Sequence, residues 1–452
     1  MAWGHSGPPS NDPTDERKTV CQDIGRVAVI GGGPAGSAAA TRLAHRGAEV
    51  TLFERAEFPR EKVCGCCLGA AGLAALDAIG VGQSVRELGQ PTTFFHGYFQ
   101  TGRGGTREER IHSTRGVRIP IVQGTALSRS QLDLNLLRWA EQAGVNVQQP
   151  CGATIVSQDP SGVWVESESG GSQRYDLVVI ATGLTGKFRQ SGAAELAWKQ
   201  TPHGPMGIST HLPRPIAEEM AWQLEDGEIQ MHCGEEGYAG VVQLPGGDLD
   251  IAAAVHVRPR NSKEDHAGKR AIEAAVESLL LNSNALNSRQ SDRLRQWFAE
   301  GASWQTTPAL RRKRVAGNGR VVAIGDAAGY VEPLTGEGMT WGIESGLAVA
   351  DLWALYQSGR MTADKEPDFG AHWHARATKF QTRRRRLCGW VTGWVRYRPA
   401  RWLARGGLQR AGWLAAPFTR SLAIGPRFES TTTLQRPLAS IADASHRTHP
   451  SS

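Results

Sequence analysis

Residues 25–55, GRVAVIGGGPAGSAAATRLAHRGAEVTLFER, leave this chain few ways to begin folding. Arg26 to Ile30 is a short β-branched run, Gly31, Gly33 and Gly36 follow in G-x-G-x-x-G spacing, and an alanine-rich stretch continues to His45. That order reads strand, tight turn, helix. Glu49 to Phe53 gives a second strand, and Glu54 closes it 18 residues after Gly36. The separation is close to the roughly 20 residues that put an acidic strand end on a ribose in a βαβ unit. Glycines let the backbone approach a pyrophosphate, and the helix that opens at Pro34 and Ala35 turns free N–H groups and a positive dipole end toward it. The expected site is therefore Gly31, Gly33, Pro34, Ala35, Gly36 and Glu54, with Arg55 beside it.

At 452 residues the chain exceeds one small core and calls for two or three packed units. Residues 1–22 are polar and Pro/Ser-rich with no apolar h-region, so they read as a disordered N-terminus and not a signal peptide. No run approaches the roughly 18 apolar residues needed to span a bilayer. Seven cysteines without a regular framework suit a reducing compartment, which places the chain in the cytoplasm. The net charge of +7 comes from one place: residues 370–428 hold thirteen Lys and Arg and no Asp or Glu, so the remainder is net acidic. Charge thus speaks for a local surface and not for a nucleic-acid-binding protein.

After Glu54 the sequence FPREKVCGCCLGAAGLAALDAIGV reads as a loop folded back over the nucleotide site, then a helix. Residues 91–122 read as hairpin strands, and Ser128 to Val145 as a helix with Leu132, Leu136, Leu137 and Ala140 on one face. Leu177 to Ile180 is a buried strand ending at Ala181, Thr182 and Gly183. MGISTHL, EIQMHC, YAGVVQL and DLDIAAAVHV, between residues 205 and 257, read as a separate sheet. Helical pattern returns from Lys263 to Phe298. Val321 to Ile324 is another buried strand, running directly into GDAAGYVEPLTGEGM at 325–339.

These segments carry a resemblance. The G-x-G-x-x-G turn with Glu54, FPREKVCG (58–65), SRSQLD (128–133) and above all GDAAGYVEPLTGEGM resemble the FAD-dependent oxidoreductases that include the p-hydroxybenzoate hydroxylase-like flavoprotein monooxygenases and the geranylgeranyl reductase group, the latter more closely. The resemblance implies FAD as cofactor, with NAD(P)H as electron donor. It implies that Asp326 after Gly325 holds a ribityl hydroxyl, that Arg129 reaches the FAD, and that Lys62, Cys64 and Gly65 form a K-x-C-G loop at the cofactor. Pro333, Gly336, Glu337, Gly338 and Met339 would open a helix at the pyrimidine edge of the flavin, where its N–H groups favour the negative charge that grows on reduction.

Two departures bear on the reaction. The hydroxylases end the Leu177 to Ile180 strand in Asp-Gly, a pair that serves NADPH as well as FAD, whereas this chain has Thr182 and Gly183. Prenyl reductases set Y-x-W-x-F-P against the isoprenoid, whereas this chain reads Tyr238, Ala239, Gly240, Val241, Val242, Gln243. Only Tyr238 keeps its place as a substrate contact, and the glycine opens space. There is no W-x-W-x-I-P, which weighs against a tryptophan halogenase. Cys64 and Cys67 make a C-x-x-C that admits a flavin disulfide reductase as a rival, but its C-x-x-x-x-C pair, second nucleotide turn and H-P-x-x-x-E base are missing.

The fold expected is α/β, a doubly wound Rossmann-type FAD/NAD(P)-binding domain with an inserted antiparallel-sheet substrate domain. Its FAD unit takes residues 23–90, 123–200 and 301–360, and its substrate unit 91–122 and 201–300. A basic, Trp-rich helical segment follows at 361–428 and a disordered tail at 429–452. Within residues 383–413, Leu387, Trp390, Val391 and Trp394 at helical spacing among arginines suit contact with a membrane surface, against the plainer reading of a solvated cap. The expected activity is oxidation of a lipophilic or aromatic small molecule, with double-bond reduction in an isoprenoid or lipid as the alternative. No metal, no nucleic acid and no side-chain acid or base is assigned.

Overall fold

The structure is a computed structural model of the chain that describes residues 24–100, 116–184, 186, 196, 198–200, 204–256, 265–283, 285–310, 312–330, 336–359, 368–397 and 419. The expected disordered ends, 1–22 and 429–452, and most of the segment beyond Tyr397 lie outside them.

Strand Arg26–Ile30 lies at the centre of a six-stranded sheet, between Leu177–Ile180 and Glu49–Phe53. Val321–Ala323 extends the sheet beyond Leu177–Ile180, and Asn146–Gln148 lies beyond Glu49–Phe53. These five strands run parallel, and the short edge strand Gly317–Asn318 is antiparallel. Val27, Val29, Leu177, Val178, Val179 and Ile180 are fully buried, which strands covered on both faces require and which their unbroken apolar runs supply. Helix Pro34–His45 packs against helix Gly338–Gln357. A Cβ on Gly346 would sit 2.5 Å from the Ala35 carbonyl oxygen, so glycine allows this contact. Arg42 and Arg46 both reach Asp351, each at 2.8 Å, across the same seam.

The second sheet has eight strands, in the order Gln305–Ala309, Met206–Leu212, Leu249–Val255, Gly237–Gln243, Glu228–Cys233, Gln90–Phe99, Val117–Ala126, Cys67–Leu68. Period-two alternation sorts its side chains. Ala239, Val241, Ile251 and Val255 join a core with Ile272, Val276 and Leu279 of helix Asp265–Leu281. Tyr238, Gly240, Val242, Ala252 and Ala254 occupy the alternate positions. Helical pattern over 263–298 resolves into two helices, Asp265–Leu281 and Ser288–Gly301, because Asn287 caps the second in a reciprocal box with Gln290.

Two short strands depart from the unit boundaries expected from sequence. Cys67–Leu68 and Gln305–Ala309, both assigned with the FAD unit, form the two edges of the eight-stranded sheet, and residues 123–126 pair there too. Edge strands need only one partner, so they carry little periodic signal. A three-stranded meander, Ala153–Asp159, Gly162–Ser167 and Ser172–Tyr175, stands beside the first sheet. Helix Phe369–Arg396 closes the far side, where Trp373 Nε1 donates to the Ala323 carbonyl at 2.9 Å. No helix among the described residues is long and apolar enough to cross a membrane. Most side chains of 383–413 fall outside the described residues.

Candidate active site

A cavity of about 740 Å³ lies where the carboxyl ends of the parallel strands meet the eight-stranded sheet. In doubly wound folds this edge is where ligands bind. One end is made by the first turn. Gly31 has φ +111°, and a Cβ there would lie 2.5 Å from the Ala181 carbonyl oxygen, while a Cβ on Gly36 would lie 1.8 Å from that of Gly31. Only glycine fits at these two positions. Gly33 differs, since a Cβ there would meet only the Arg129 guanidinium, at 3.8 Å. It caps helix Pro34–His45 without a side-chain hydrogen bond, leaving the helix N–H groups open to the cavity.

Glu54 is 8% exposed and its carboxylate accepts the Gly32 and Ala56 N–H groups, each at 2.8 Å. Those two bonds fix its orientation at the strand end and leave lone pairs for a ligand hydroxyl. Arg55 lines the cavity next to it. Arg60, which sequence did not single out, reaches to 3.6 Å from Glu54 and stacks over Phe58 at 4.7 Å.

The middle of the cavity is strongly charged. Arg129 is buried and pairs with Asp133, four residues on, at 2.8 and 2.7 Å. Lys62 and Asp326 face the same space. Burial and the neighbouring Arg129 push the Lys62 ammonium below its ordinary value, and burial raises the Asp326 carboxyl. Asp326 sits in the 3-10 turn Gly325–Ala327, directly after strand Val321–Ala323. Thr182 lines the cavity and Gly183, at φ +70°, passes close under Lys62.

Helix Gly338–Gln357 begins at the cavity with Glu337 at its N-cap, and the Glu337 side chain does not cap it. Gly336, with φ +72°, and Met339 line the wall there, and Pro333 lies outside the described residues. Cys64 Sγ is 3.8 Å from Met339 Sδ, with Gly65 beside it. The described cysteines, Cys64, Cys66 and Cys67 among them, are free thiols.

The remaining wall is apolar. Phe95, Ile121, Ile229, Met231, Val242 and Leu310 line it, and Tyr238 closes it at 7% exposure. Thr419, from the C-terminal stretch, lines the cavity as well and donates from Oγ1 to the Pro120 carbonyl at 3.0 Å. Nothing in the basic composition of that stretch pointed to the contact. Of the residues singled out in the sequence, Pro34, Ala35, Gly36, Gly183 and Gly325 stand behind the surface as backbone supports. The other described ones face the cavity.

These groups fit FAD. Two uncapped helix N-termini suit anionic groups, a glycine cradle admits a pyrophosphate, and an acidic strand end suits a ribose. The comparisons agree. Residues 25–367 match the family model described as FAD binding domain. The chain is 27% identical over 366 residues to a menaquinone reductase of Mycolicibacterium smegmatis, covering 77% of this chain and 78% of that protein. It is 27% identical over 349 residues to digeranylgeranylglycerophospholipid reductase 1 of Methanothermobacter thermautotrophicus, covering 75% and 79%. The crystal structure of p-nitrophenol 4-monooxygenase from Pseudomonas putida superposes with a TM-score of 0.64 at 15% identity, over 89% of this chain and 97% of that one, a likeness of fold. With the family model running through both the Gly31 turn and the Asp326 turn, the chain belongs to the FAD binding domain family and is an FAD-dependent oxidoreductase.

Proposed function

We propose that this enzyme passes electrons from NAD(P)H through FAD to a lipophilic small molecule of the isoprenoid or quinone class. The observation that carries this reading is the apolar wall of the cavity, Phe95, Ile229, Met231 and Val242, facing the charged FAD segments across a single space. Gly31, Gly33 and Gly36, with Pro34 and Ala35, take the pyrophosphate. Glu54 and Arg55 hold the adenosine end. Arg129, Lys62, Cys64 and Gly65 cover the middle of the cofactor with Thr182 and Gly183, and Asp326 after Gly325 binds the ribityl chain. Gly336, Glu337, Gly338 and Met339 border the ring. When bound, FAD supplies hydride and electron transfer at its ring. The protein's part is to orient the ring, to stabilise its reduced charge with helix N–H groups, and to exclude water around an apolar substrate.

Reduction of a carbon–carbon double bond is favoured by the relatives, two of which carry reductase names with isoprenoid-type substrates in them. Oxygenation is the second reading, favoured by Gly240, which lines the cavity without the aromatic side chain that prenyl reductases set against the isoprenoid. Rapid mixing separates them. Reduced enzyme is mixed anaerobically with a menaquinone or a cell lipid extract, and separately with O₂. Flavin reoxidation by the lipid without O₂, with a product two hydrogens heavier that air does not reoxidise, supports the reductase. Lipid-independent stability under anaerobic conditions, with a short-lived absorbance on O₂ addition whose decay the lipid speeds, supports the oxygenase instead.

A further inference from the structure

We propose that Cys66, His211 and Asp250 form a binding site for a divalent transition metal of the zinc class, which pins the loop at 61–67 to the eight-stranded sheet. The three side chains come from distant parts of the sequence and offer one thiol, one imidazole and one carboxylate, with donor atoms all within 4.8 Å of one another. His211 and Asp250 are direct cross-strand partners in strands Met206–Leu212 and Leu249–Val255. Cys66 lies over them from the loop.

Asp250 is the observation that asks for a ligand. It is 1% exposed, on the strand face it shares with Ala252 and Ala254 and opposite Val242 of the neighbouring strand. Its ionic partner is His211, whose Nε2 lies 3.1 Å from Oδ1, but neither carboxylate oxygen has a well-aligned hydrogen bond among the described residues. A buried carboxylate held this loosely keeps lone pairs available for a cation. Cys66 is held toward it by an unusual backbone, with φ +47° at a residue that is not glycine. Neighbouring bonds fix that conformation, since the Cys66 carbonyl accepts the Leu127 N–H at 2.8 Å and Cys67 pairs with Ala126.

The donor set selects the metal. Thiolate and imidazole together favour zinc, cobalt or iron over magnesium or calcium. Zinc bonds of about 2.0–2.3 Å set tetrahedral ligands roughly 3.3–3.7 Å apart, so donors that lie within 4.8 Å of one another need close by at most about 1.5 Å on binding. The charges also balance. Cys66 gives up its thiol proton to solvent, Asp250 is ionised and His211 stays neutral, so two negative charges meet a 2+ ion and water fills the fourth position. Metal uptake therefore releases protons and strengthens as pH rises.

The test uses the full-length FAD-loaded protein, stripped with chelator and titrated with Co²⁺ alone. One equivalent is expected to produce ligand-field bands on the red side of the flavin absorption, removed by Zn²⁺, and abolished in Cys66→Ser and His211→Ala but kept in Cys67→Ser. X-ray absorption at the cobalt edge of the wild-type protein, which needs no variant to fold, is expected to show one sulfur ligand among nitrogen and oxygen. Absence of the bands at several equivalents of Co²⁺, their survival in Cys66→Ser, or a cobalt shell without sulfur would overturn the proposal.

Discussion

Arg129 and Asp133 face each other one helical turn apart in a two-pronged ion pair, Nε to Oδ1 at 2.8 Å and Nη2 to Oδ2 at 2.7 Å, with both side chains nearly sealed from water. The pair aims the guanidinium at Gly33 and keeps a cation beside the expected path of the pyrophosphate. Arg60 stands 3.9 Å from the same carboxylate, so Asp133 balances more than one positive charge.

Removing Asp133 leaves a buried arginine uncompensated, a change that typically costs about 3–5 kcal/mol. Asp133→Ala is therefore expected to lower the melting temperature clearly and to release FAD. Arg129→Lys retains charge but loses the fork geometry. It should remain folded with reduced FAD content. Thermal melts together with the flavin-to-protein absorbance ratio check both, and wild-type FAD content in each would show that the pair is not needed at the cofactor.

The glycines of the first turn separate folding from binding. Gly36→Ala drives a methyl into the Gly31 carbonyl and is expected to yield little folded protein. Gly33→Asp places its Cβ in ordinary contact with the Arg129 guanidinium, at 3.8 Å, and its carboxylate on the expected path of the pyrophosphate, so a folded protein that is nearly colourless is expected. Circular dichroism and flavin absorbance distinguish the two, and a fully yellow Gly33→Asp protein would remove that turn from the cofactor site.

His232 makes stability depend on pH. Its ring is buried, stacks on Tyr98 at 5.4 Å and bonds Ser283 Oγ through Nδ1 at 2.7 Å, and burial pushes its pKa down from 6.5 to about 3. Glu228 and His96 act on it in opposite directions, and burial outweighs both. Below pH 6.5 the unfolded chain takes up a proton that the folded one refuses, so stability falls as pH drops from 6.5 toward 3, by up to roughly 1.4 kcal/mol per unit. Melting temperatures between pH 7 and 4.5 should fall more steeply for wild type than for His232→Gln. Parallel curves would assign the acid loss to other groups.

Gly240 sets the width of the substrate wall. The Cβ of a side chain there would touch Met231 Sδ at 3.4 Å and the rest of it would enter the cavity, so Gly240→Phe is expected to fold and hold FAD. It is expected to slow flavin reoxidation by a long-chain menaquinone by tenfold or more, about 1.4 kcal/mol, and to affect a short-chain analogue much less. Equal slowing of both would place the chain elsewhere.

Much of the framework was legible in the sequence. Arg26–Ile30, Glu49–Phe53, Leu177–Ile180, Met206–Leu212 and Glu228–Cys233 stand at the bounds that apolar pattern and flanking turn residues gave them. Strands buried on both faces or alternating across one sheet leave a strong periodic trace. Cys67–Leu68 and Gln305–Ala309 left none, because a two-residue bridge is too short to show a period and the edge strand, QTTPA, has no alternating apolar residues. The convergence of Cys66, His211 and Asp250 was equally hidden. It arises from the sheet register and a left-handed backbone, neither of which residue spacing encodes. Thr419 joined the cavity wall from a stretch whose composition spoke only of charge.

The strand order of the parallel sheet has a consequence for how the protein is made. Val321–Ala323, which delivers Asp326, docks beside Leu177–Ile180, so the cofactor pocket stays open on one side until the ribosome has passed the second sheet. At roughly 5–20 residues per second the nascent chain spends tens of seconds with its first turn complete and its last wall missing. The Gly31 turn alone therefore offers a nucleotide an incomplete pocket, and Asp326 joins it only after the second sheet has been made.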